Sequence, residues 1–428
     1  MIVDYLIVGT GISGLNMGLK LSKKYPQKTI LLIDGSTTFG GRIQTVYNEK
    51  YSFESGAARF NNNHKNLLNY IKKYNLEGNV TKIPGNWEFV GNNKESNIKF
   101  SDVNELLLYL YEYYKDKTKW KDFLISKTVY EIVDHLFGKE QAQYMMNNHP
   151  YYSELSIMNS YDALKTFKRD LNETLQFYVL DCGLSKITEN IYNECVDNNC
   201  IFKFSTKLVN ISYIESTKKF MCASIENDKV FEIYSDNLIL AIDGLSFQKL
   251  NLNTFNKYLT QKDVNFKDLQ KSLNVQPLLR TYYKYRSSKN IWFKDMPKIV
   301  TDNKLRLRYI IPISYDNGTI MISYTDGKCA KYWYKKILEG TQDETLDKHL
   351  YKIFPDKKIP KPIRTFNYYW KEGASYWDKN IDSDKIIKIL QKPTSLNLFI
   401  CGDSYSHRQA WIEGALESSN NVFDIIAK

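Results

Sequence analysis

The chain has 428 residues, with 59 Lys and Arg against 48 Asp and Glu, and a formal net charge of +11. A composition of 43% hydrophobic and 25% charged residues excludes a disordered or collagen-like polymer, and at about 100–200 residues per domain the length predicts two or three packing units. No apolar run approaches the roughly 18 residues needed to cross a bilayer, and Met1–Val8 carries neither a basic n-region nor a small-residue cleavage site, so a cytoplasmic protein without a signal peptide is expected.

Glycine makes up only 20 of the 428 residues, yet eight of the twenty fall within the first 56. An apolar run at residues 2–8 predicts a strand, and Gly9-Thr10-Gly11-Ile12-Ser13-Gly14 follows it as G-x-G-x-x-G. Leu15, Gly18, Leu19 and Leu21 then keep helical spacing until Tyr25-Pro26, after which Thr29–Ile33 predicts a second strand. That strand ends at Asp34, twenty residues beyond Gly14. Strand, glycine turn, helix, strand and acid in this register are the βαβ dinucleotide fingerprint. Gly9 serves the tight turn, Gly11 the approach of backbone to a pyrophosphate, and Gly14 the packing of helix on strand. The helix start offers unpaired N–H groups to phosphate, and Asp34 offers acceptors to a ribose hydroxyl pair.

Past Asp34-Gly35 come Phe39-Gly40-Gly41-Arg42 and Phe53-Glu54-Ser55-Gly56-Ala57-Ala58-Arg59-Phe60. Between about 85 and 180 the spacing of Leu106, Leu107, Leu110, Tyr113 and Tyr114 predicts helix, with core packing preferred to a channel lining. Lys115, Lys117, Lys119 and Lys121 alternate there as a solvated edge. Further pieces are Cys182-Gly183-Leu184-Ser185, Lys207-Leu208-Val209-Asn210-Ile211 and the strand-like Asn237–Ile242. Near the end, an apolar strand from Leu398 to Cys401 stops at Gly402-Asp403, and a helix begins near Trp411-Ile412-Glu413-Gly414-Ala415. A strand leading to an acid and a helix start is a second site suited to a polar ligand.

These pieces together resemble the FAD-dependent amine oxidase family, which includes monoamine, polyamine and L-amino-acid oxidases. The resemblance implies an α/β fold: a Rossmann-like FAD-binding domain from 1–84, 181–262 and 394–428, and a discontinuous substrate domain with a helical part (85–180) and a mixed sheet (263–393). It implies non-covalent FAD held by Gly9, Gly11, Ile12, Ser13 and Gly14, by Asp34 and Gly35, by Gly41 and Arg42 at the pyrophosphate and ribityl chain, and by Gly56, Ala57 and Ala58 near the isoalloxazine. Val209 would touch the adenine through its backbone. Gly402 and Asp403 would reach the ribityl or pyrophosphate, and Trp411, Ile412 and Ala415 would bring a helix start to the pyrimidine edge, where donors stabilise the charge of reduced flavin. Ser375 stands where some relatives carry a flavin-linked cysteine, and a serine forms no thioether.

The resemblance also implies the reaction: hydride transfer from the carbon bearing nitrogen to flavin N5, imine release and hydrolysis, and reoxidation by molecular oxygen to hydrogen peroxide. In Trp370-Lys371-Glu372-Gly373-Ala374-Ser375-Tyr376-Trp377, Tyr376 is expected as one aromatic wall of the substrate site, with Trp411 as the other. Gly56-Ala57-Ala58-Arg59 resembles the piece whose arginine clamps a substrate carboxylate, for which a guanidinium fork is suited; the alternative is that Arg59 pairs with an internal acid such as Glu54. Relatives hold a catalytic lysine that is water-linked to N5. Here Arg280 takes that place in the better alignment and Lys284 in the other, which puts oxygen reactivity in question.

Cys182, Cys195, Cys200, Cys222, Cys329 and Cys401 form no Cys-x-x-Cys pair, and the five histidines have no metal-ligand spacing, so reduced thiols and no metal are expected. The positive excess is spread along a chain rich in Lys, Asn, Ile and Tyr and follows no nucleic-acid-reading motif, so a small amine or amino acid is the expected partner. Two rivals stay open: an FAD-dependent desaturase with an apolar channel, and an FAD-binding scaffold that has lost turnover.

Overall fold

The two ends of the chain meet in one sheet. The computed structural model describes residues 1–48, 51–83, 85, 87–91, 98–170, 175–226, 228–286 and 291–428. Strand β1 (Ile2–Val8) leads into helix α1 (Ile12–Lys24) and strand β2 (Ile30–Ile33), the unit read from the glycine motif. β1 lies parallel between β2 and the long strand Lys229–Leu240, whose C-terminal half also pairs in parallel with Leu398–Ile400. Ile201–Lys203 extends the sheet beyond β2, and the antiparallel strands Lys219–Glu226 and Thr206–Ile214 extend it on the other side, for seven strands in all. The parallel strands are apolar on both faces: Leu6, Ile7, Leu31, Leu32, Leu238, Ile239 and Leu240 are fully buried, as sheets covered on both sides require.

One face of this sheet is covered by α1, by helix α2 (Lys65–Lys73), by Ser185–Asp197 and by the final helix, Ile412–Ile426. On the other face the core includes Phe247, Phe255, Phe266, Trp377 and Leu390. Val8, Ile33, Leu240 and Ile400 all end at the same edge, which is where ligands sit in folds of this kind.

A second, six-stranded sheet runs in the order Arg364–Trp377, Leu273–Lys284, Thr319–Asp326, Tyr309–Ser314, Lys298–Thr301 and Trp87–Val90. Its central pair contains a local break. Gln276 faces Ala374, but Leu278 faces Trp370, so Lys371–Gly373 sits opposite Pro277 alone. Proline has no N–H to give to a ladder, and the facing strand bulges where that donor is lacking. A Cβ on Gly373 would lie 2.5–2.6 Å from atoms of Leu278, so the bulge closes on glycine.

Five helices between Val103 and Asp170 form a layer whose core takes Leu106, Leu107, Leu110, Leu124, Val129, Ile132, Met145 and Leu164. The helical spacing read from sequence is a packing stripe: Leu106, Leu107, Leu110 and Tyr114 are buried, and Tyr113 points to solvent. The expected helical segment 85–180 also contributes strands at both margins, Trp87–Val90 to the second sheet and Phe177–Leu180 to a small sheet with Phe60–Asn61 and Val80–Lys82. The expected boundary residue, 84, lies outside the described residues. Among the described residues no helix is long and apolar enough to cross a membrane.

Glu413, only 1% exposed, ties this architecture together. It lies in the first turn of the final helix but accepts from the amides of Asn66 (3.0 Å) and Leu67 (3.1 Å) and from Asn66 Nδ2 (2.9 Å), capping α2, whose own N-cap His64 makes no side-chain cap. Removing a buried charged acceptor leaves these donors unsatisfied, at about 2 kcal/mol. Glu413→Ala is therefore expected to lower the urea midpoint by a corresponding amount; an unchanged midpoint would refute the capping role.

Candidate active site

A cleft of about 1060 Å³ opens at the carboxyl edge of the parallel strands, and it collects residues from both ends and the middle of the chain. Gly9, Gly11, Ile12 and Ser13 form one wall. Gly11 is the N-cap of α1 and no side chain caps that helix, so its first amides have no side-chain partner. A Cβ on Gly11 would meet nothing within 4 Å, whereas one on Gly14 would lie 1.9 Å from the Gly9 carbonyl. Gly11 thus bares backbone to the cleft, and Gly14 lies outside the lining and allows α1 to sit against the strand.

Asp34 and Gly35 line the adjoining part of the cleft. One Asp34 oxygen accepts from the Thr10 amide (2.7 Å) and hydroxyl (2.9 Å), and the other from the Ser36 amide (2.9 Å) and hydroxyl (2.6 Å). Four donors fill the acceptor capacity of a carboxylate, so a ribose hydroxyl would compete with Thr10 and Ser36 for Asp34. Opposite lies Val209, 42% exposed, at a register shift between Leu208 and Asn210 on an outer strand. A bulge of this kind takes backbone groups out of the ladder, and Val209 lines the opening.

Gly41, Arg42, Gly56, Ala57, Gly402 and Asp403 form the next section. Arg42 makes an ion pair with Asp403 and donates through Nη1 to the Gly373 carbonyl at the bulge (3.1 Å). Burial works against the Arg42 charge, but Asp403 and Asp243 outweigh it and hold the guanidinium above its ordinary value. Trp411, Ile412 and Ala415 follow. Trp411 is the N-cap of the final helix and again no side chain caps it. Two helix starts, both without side-chain caps, therefore face one cleft together with Arg42, which makes it a site for anionic groups.

At the far end the sequence expectations divide. Trp411 lines the cleft, in edge contact with His64 and stacked at 6.1 Å on Phe177. Tyr376 does not reach the cleft. It is buried among the helical-layer residues, and burial drives its hydroxyl pKa well above the ordinary value. Trp370, across the Pro277–Gly373 bulge on the same strand, takes the wall instead, its indole N–H donating to the Ser55 carbonyl (2.7 Å). The signal for it was present in the sequence: a proline and a glycine inside facing strands mark a bulge, and the bulge separates the two aromatics.

Ala58 and Arg59 lie just beyond the lining. Arg59 Nη2 donates to the Tyr151 hydroxyl (2.6 Å), and its guanidinium carbon lies 4.7 Å from the Phe177 ring centre and 5.7 Å from that of Trp411. Glu54, the internal acid considered as its partner, accepts from the Thr45 hydroxyl (2.9 Å) and the Leu184 amide (2.7 Å); burial raises its carboxyl pKa despite these bonds. Arg280 lines the cleft, buried, with Nη1 donating to the Glu54 carbonyl (3.1 Å) and its guanidinium carbon 4.5 Å from the Tyr324 ring centre. Lys284 is also buried, off the cleft, with Nζ donating to the Tyr285 carbonyl (3.2 Å). Tyr324, Trp370, Phe177 and Tyr151 were not singled out from sequence, because the segments that carry them meet only in the fold.

The sequence profile of the flavin containing amine oxidoreductase family matches residues 12–422. The L-amino-acid oxidase of Sistrurus catenatus edwardsii is 27% identical over 181 residues, 41% of this chain and 34% of that protein. An uncharacterised protein of Acanthamoeba polyphaga mimivirus is 46% identical over 59 residues, 13% of this chain and 12% of that protein. The matches thus span about a third or less of these curated relatives. A crystallised putrescine oxidase bound to putrescine shares the fold, with a TM-score of 0.76 over 100% of both chains at 12% identity. From the end of its first glycine turn to its final helix, the chain belongs to the flavin containing amine oxidoreductase family.

Proposed function

We propose that the protein is an FAD-dependent oxidase of L-amino acids, with molecular oxygen as electron acceptor and imine, then carbonyl compound, ammonia and hydrogen peroxide as products. The observation that carries the amino-acid reading is Arg59, held by Tyr151 between the rings of Phe177 and Trp411 next to the cleft wall. A guanidinium there suits a carboxylate. Arg280, a buried cation at the same end, adds to the positive potential. A diammonium such as the putrescine of the structural relative would meet like charge from both.

The residues fit FAD. The open backbone at Gly11, the uncapped start of α1 and Arg42 suit a pyrophosphate, and the bulged backbone at Val209 suits an adenine edge. No cysteine lines the cleft among the described residues, and Ser375 lies off it, its hydroxyl 3.2 Å from that of Ser404, which supports non-covalent binding. When bound, the flavin supplies the hydride acceptor. The chain supplies the rest: Arg59 orients the substrate by its carboxylate, Trp370 and Trp411 flank the substituted carbon and exclude water, and the amides at Ile412 onward stabilise negative charge on the pyrimidine edge.

Anaerobic mixing of the purified yellow protein with L-amino acids, and separately with their decarboxylated amines, tests the reading. Bleaching of the flavin band by amino acids and not by amines is expected; bleaching by amines alone would return Arg59 to a structural role, and bleaching by neither would remove the oxidase reading for these substrates. Arg59→Leu is expected to reduce kcat/KM for amino acids by about 10- to 100-fold, the worth of a charge-assisted hydrogen bond, mostly through KM. Arg42→Met leaves Asp403 without its ion-pair partner and removes a cation from the anion site. It is expected to weaken FAD retention at least about tenfold, read from the flavin-to-protein absorbance ratio after dialysis; full occupancy would refute the role given to Arg42.

A further inference from the structure

Beside the cleft, three tyrosines each meet a cation. Tyr309 lies 5.7 Å from Tyr151 and 5.9 Å from Tyr324, and Tyr151 contacts Tyr324 edge-on at 6.3 Å. Arg59 donates to the Tyr151 hydroxyl, Arg280 lies over Tyr324, and the Lys298 ammonium lies 5.4 Å from the Tyr309 ring centre. Arg59 is more than two hundred residues from Arg280 and Lys298 in the chain, and the fold brings the three cations to one aromatic cluster.

Lys298 opens the strand Lys298–Thr301 and is only partly exposed. Some lysines of intermediate exposure meet carboxylates, as Lys121 does with Asp382 and Asp384 and Lys203 with Glu226, while Lys20 lies over the Phe423 ring. Among the described residues no hydrogen bond or ion pair reaches the Lys298 ammonium; the Tyr309 face is its close partner. Burial, and then the charge of Arg59, push its ammonium pKa down to about 8. Ring faces attract a cation but do not neutralise it, so a positive group held close to an arginine is missing an anion. Tyr309 is buried, and its hydroxyl, with its pKa pushed up to about 12, remains a donor.

We infer that Lys298 selects amino acids whose side chain ends in a second carboxylate. The inference rests on the amino-acid reading: with the α-carboxylate at Arg59, the side chain lies along the tyrosine faces and its acid group meets Lys298 and the tyrosine hydroxyls. The substrate class is the acidic L-amino acids, two negative groups meeting two cations.

The test compares flavin reduction in the holoenzyme by L-glutamate and L-aspartate with reduction by L-glutamine and L-leucine. In Lys298→Met the ratio of acidic to neutral kcat/KM is expected to fall about 10- to 100-fold, and Lys298→Arg is expected to restore most of it. Glutarate, which has no amine to oxidise, serves as a binding probe: it is expected to perturb the visible flavin spectrum and to bind at least tenfold more weakly to Lys298→Met. An unchanged ratio in Lys298→Met, or a wild-type preference for neutral amino acids, overturns the inference and leaves the amino-acid reading standing. Reduction by amines alone overturns both. Should Lys298→Met fail to accumulate, Lys298→Gln takes its place in both measurements.

Discussion

Two helix starts left without side-chain caps and aimed at one cleft are the constraint on which the rest of the structure depends. The amides after Gly11 and after Trp411 concentrate partial positive charge at the same opening. Six other helices carry side-chain caps, with Asp102, Asp116, Thr128, Asp243, Asn265 and Asp382 each accepting from the turn that follows, whereas the helices that begin at Lys65, Tyr152, Ser185, Gly327 and Gln342 have none. The final helix even carries an acid in its first turn, yet Glu413 is directed away from its own helix start and onto α2. The positive ends at the cleft are thus preserved, and the side chain that could have neutralised one of them stabilises another element. Ser13 Oγ on the Ala415 carbonyl (3.0 Å) and Asn16 Nδ2 on Ser419 Oγ (2.7 Å) fix the two helices against each other across some four hundred residues of sequence.

The second sheet completes the cleft through its irregularity. Pro277 removes one ladder donor, the facing strand bulges, and the Gly373 carbonyl moves into reach of Arg42. Arg42 is then held by a carboxylate from the first sheet's edge and a carbonyl from the second sheet, so one side chain joins the two sheets at the floor of the cleft. The same bulge brings Glu372 to the lining and lies between Trp370 on the cleft and Tyr376 under the helices.

What was legible in the sequence was local. β1, α1 and β2 are contiguous, and apolar runs, a glycine turn and a closing acid specify them without distant help. Leu106, Leu107 and Leu110 were legible for the same reason, since helical spacing directly encodes a buried stripe. The substrate end was not. Tyr376 was favoured because its neighbours resemble a family segment, but which side of a bulge a residue occupies depends on Pro277, nearly a hundred positions away in the chain. Asp34 shows a finer limit: its place at the end of β2 could be read, but not the four donors of Thr10 and Ser36 that fill it. The tyrosine cluster lay furthest from view. Tyr151, Tyr309 and Tyr324 are three among 33 tyrosines, and nothing but the packing of a helical layer on a sheet distinguishes them.

Arg280 bears on how protons move in the proposed reaction. Its guanidinium bonds the Glu54 carbonyl, lies over Tyr324, and shares that carbonyl with the Tyr282 hydroxyl (2.6 Å). It thereby anchors the segment that continues into Gly56 and Ala57 on the cleft wall. An arginine so held stays charged at every pH at which the protein is folded, and neighbouring Tyr282 and Tyr324 raise its pKa further against the cost of burial. It therefore acts as a fixed positive charge and a strut, not as a group that takes up and releases a proton. In the proposed reading, Arg280 contributes through potential alone, adding to Arg59 and Lys298 the positive field that favours an anionic substrate.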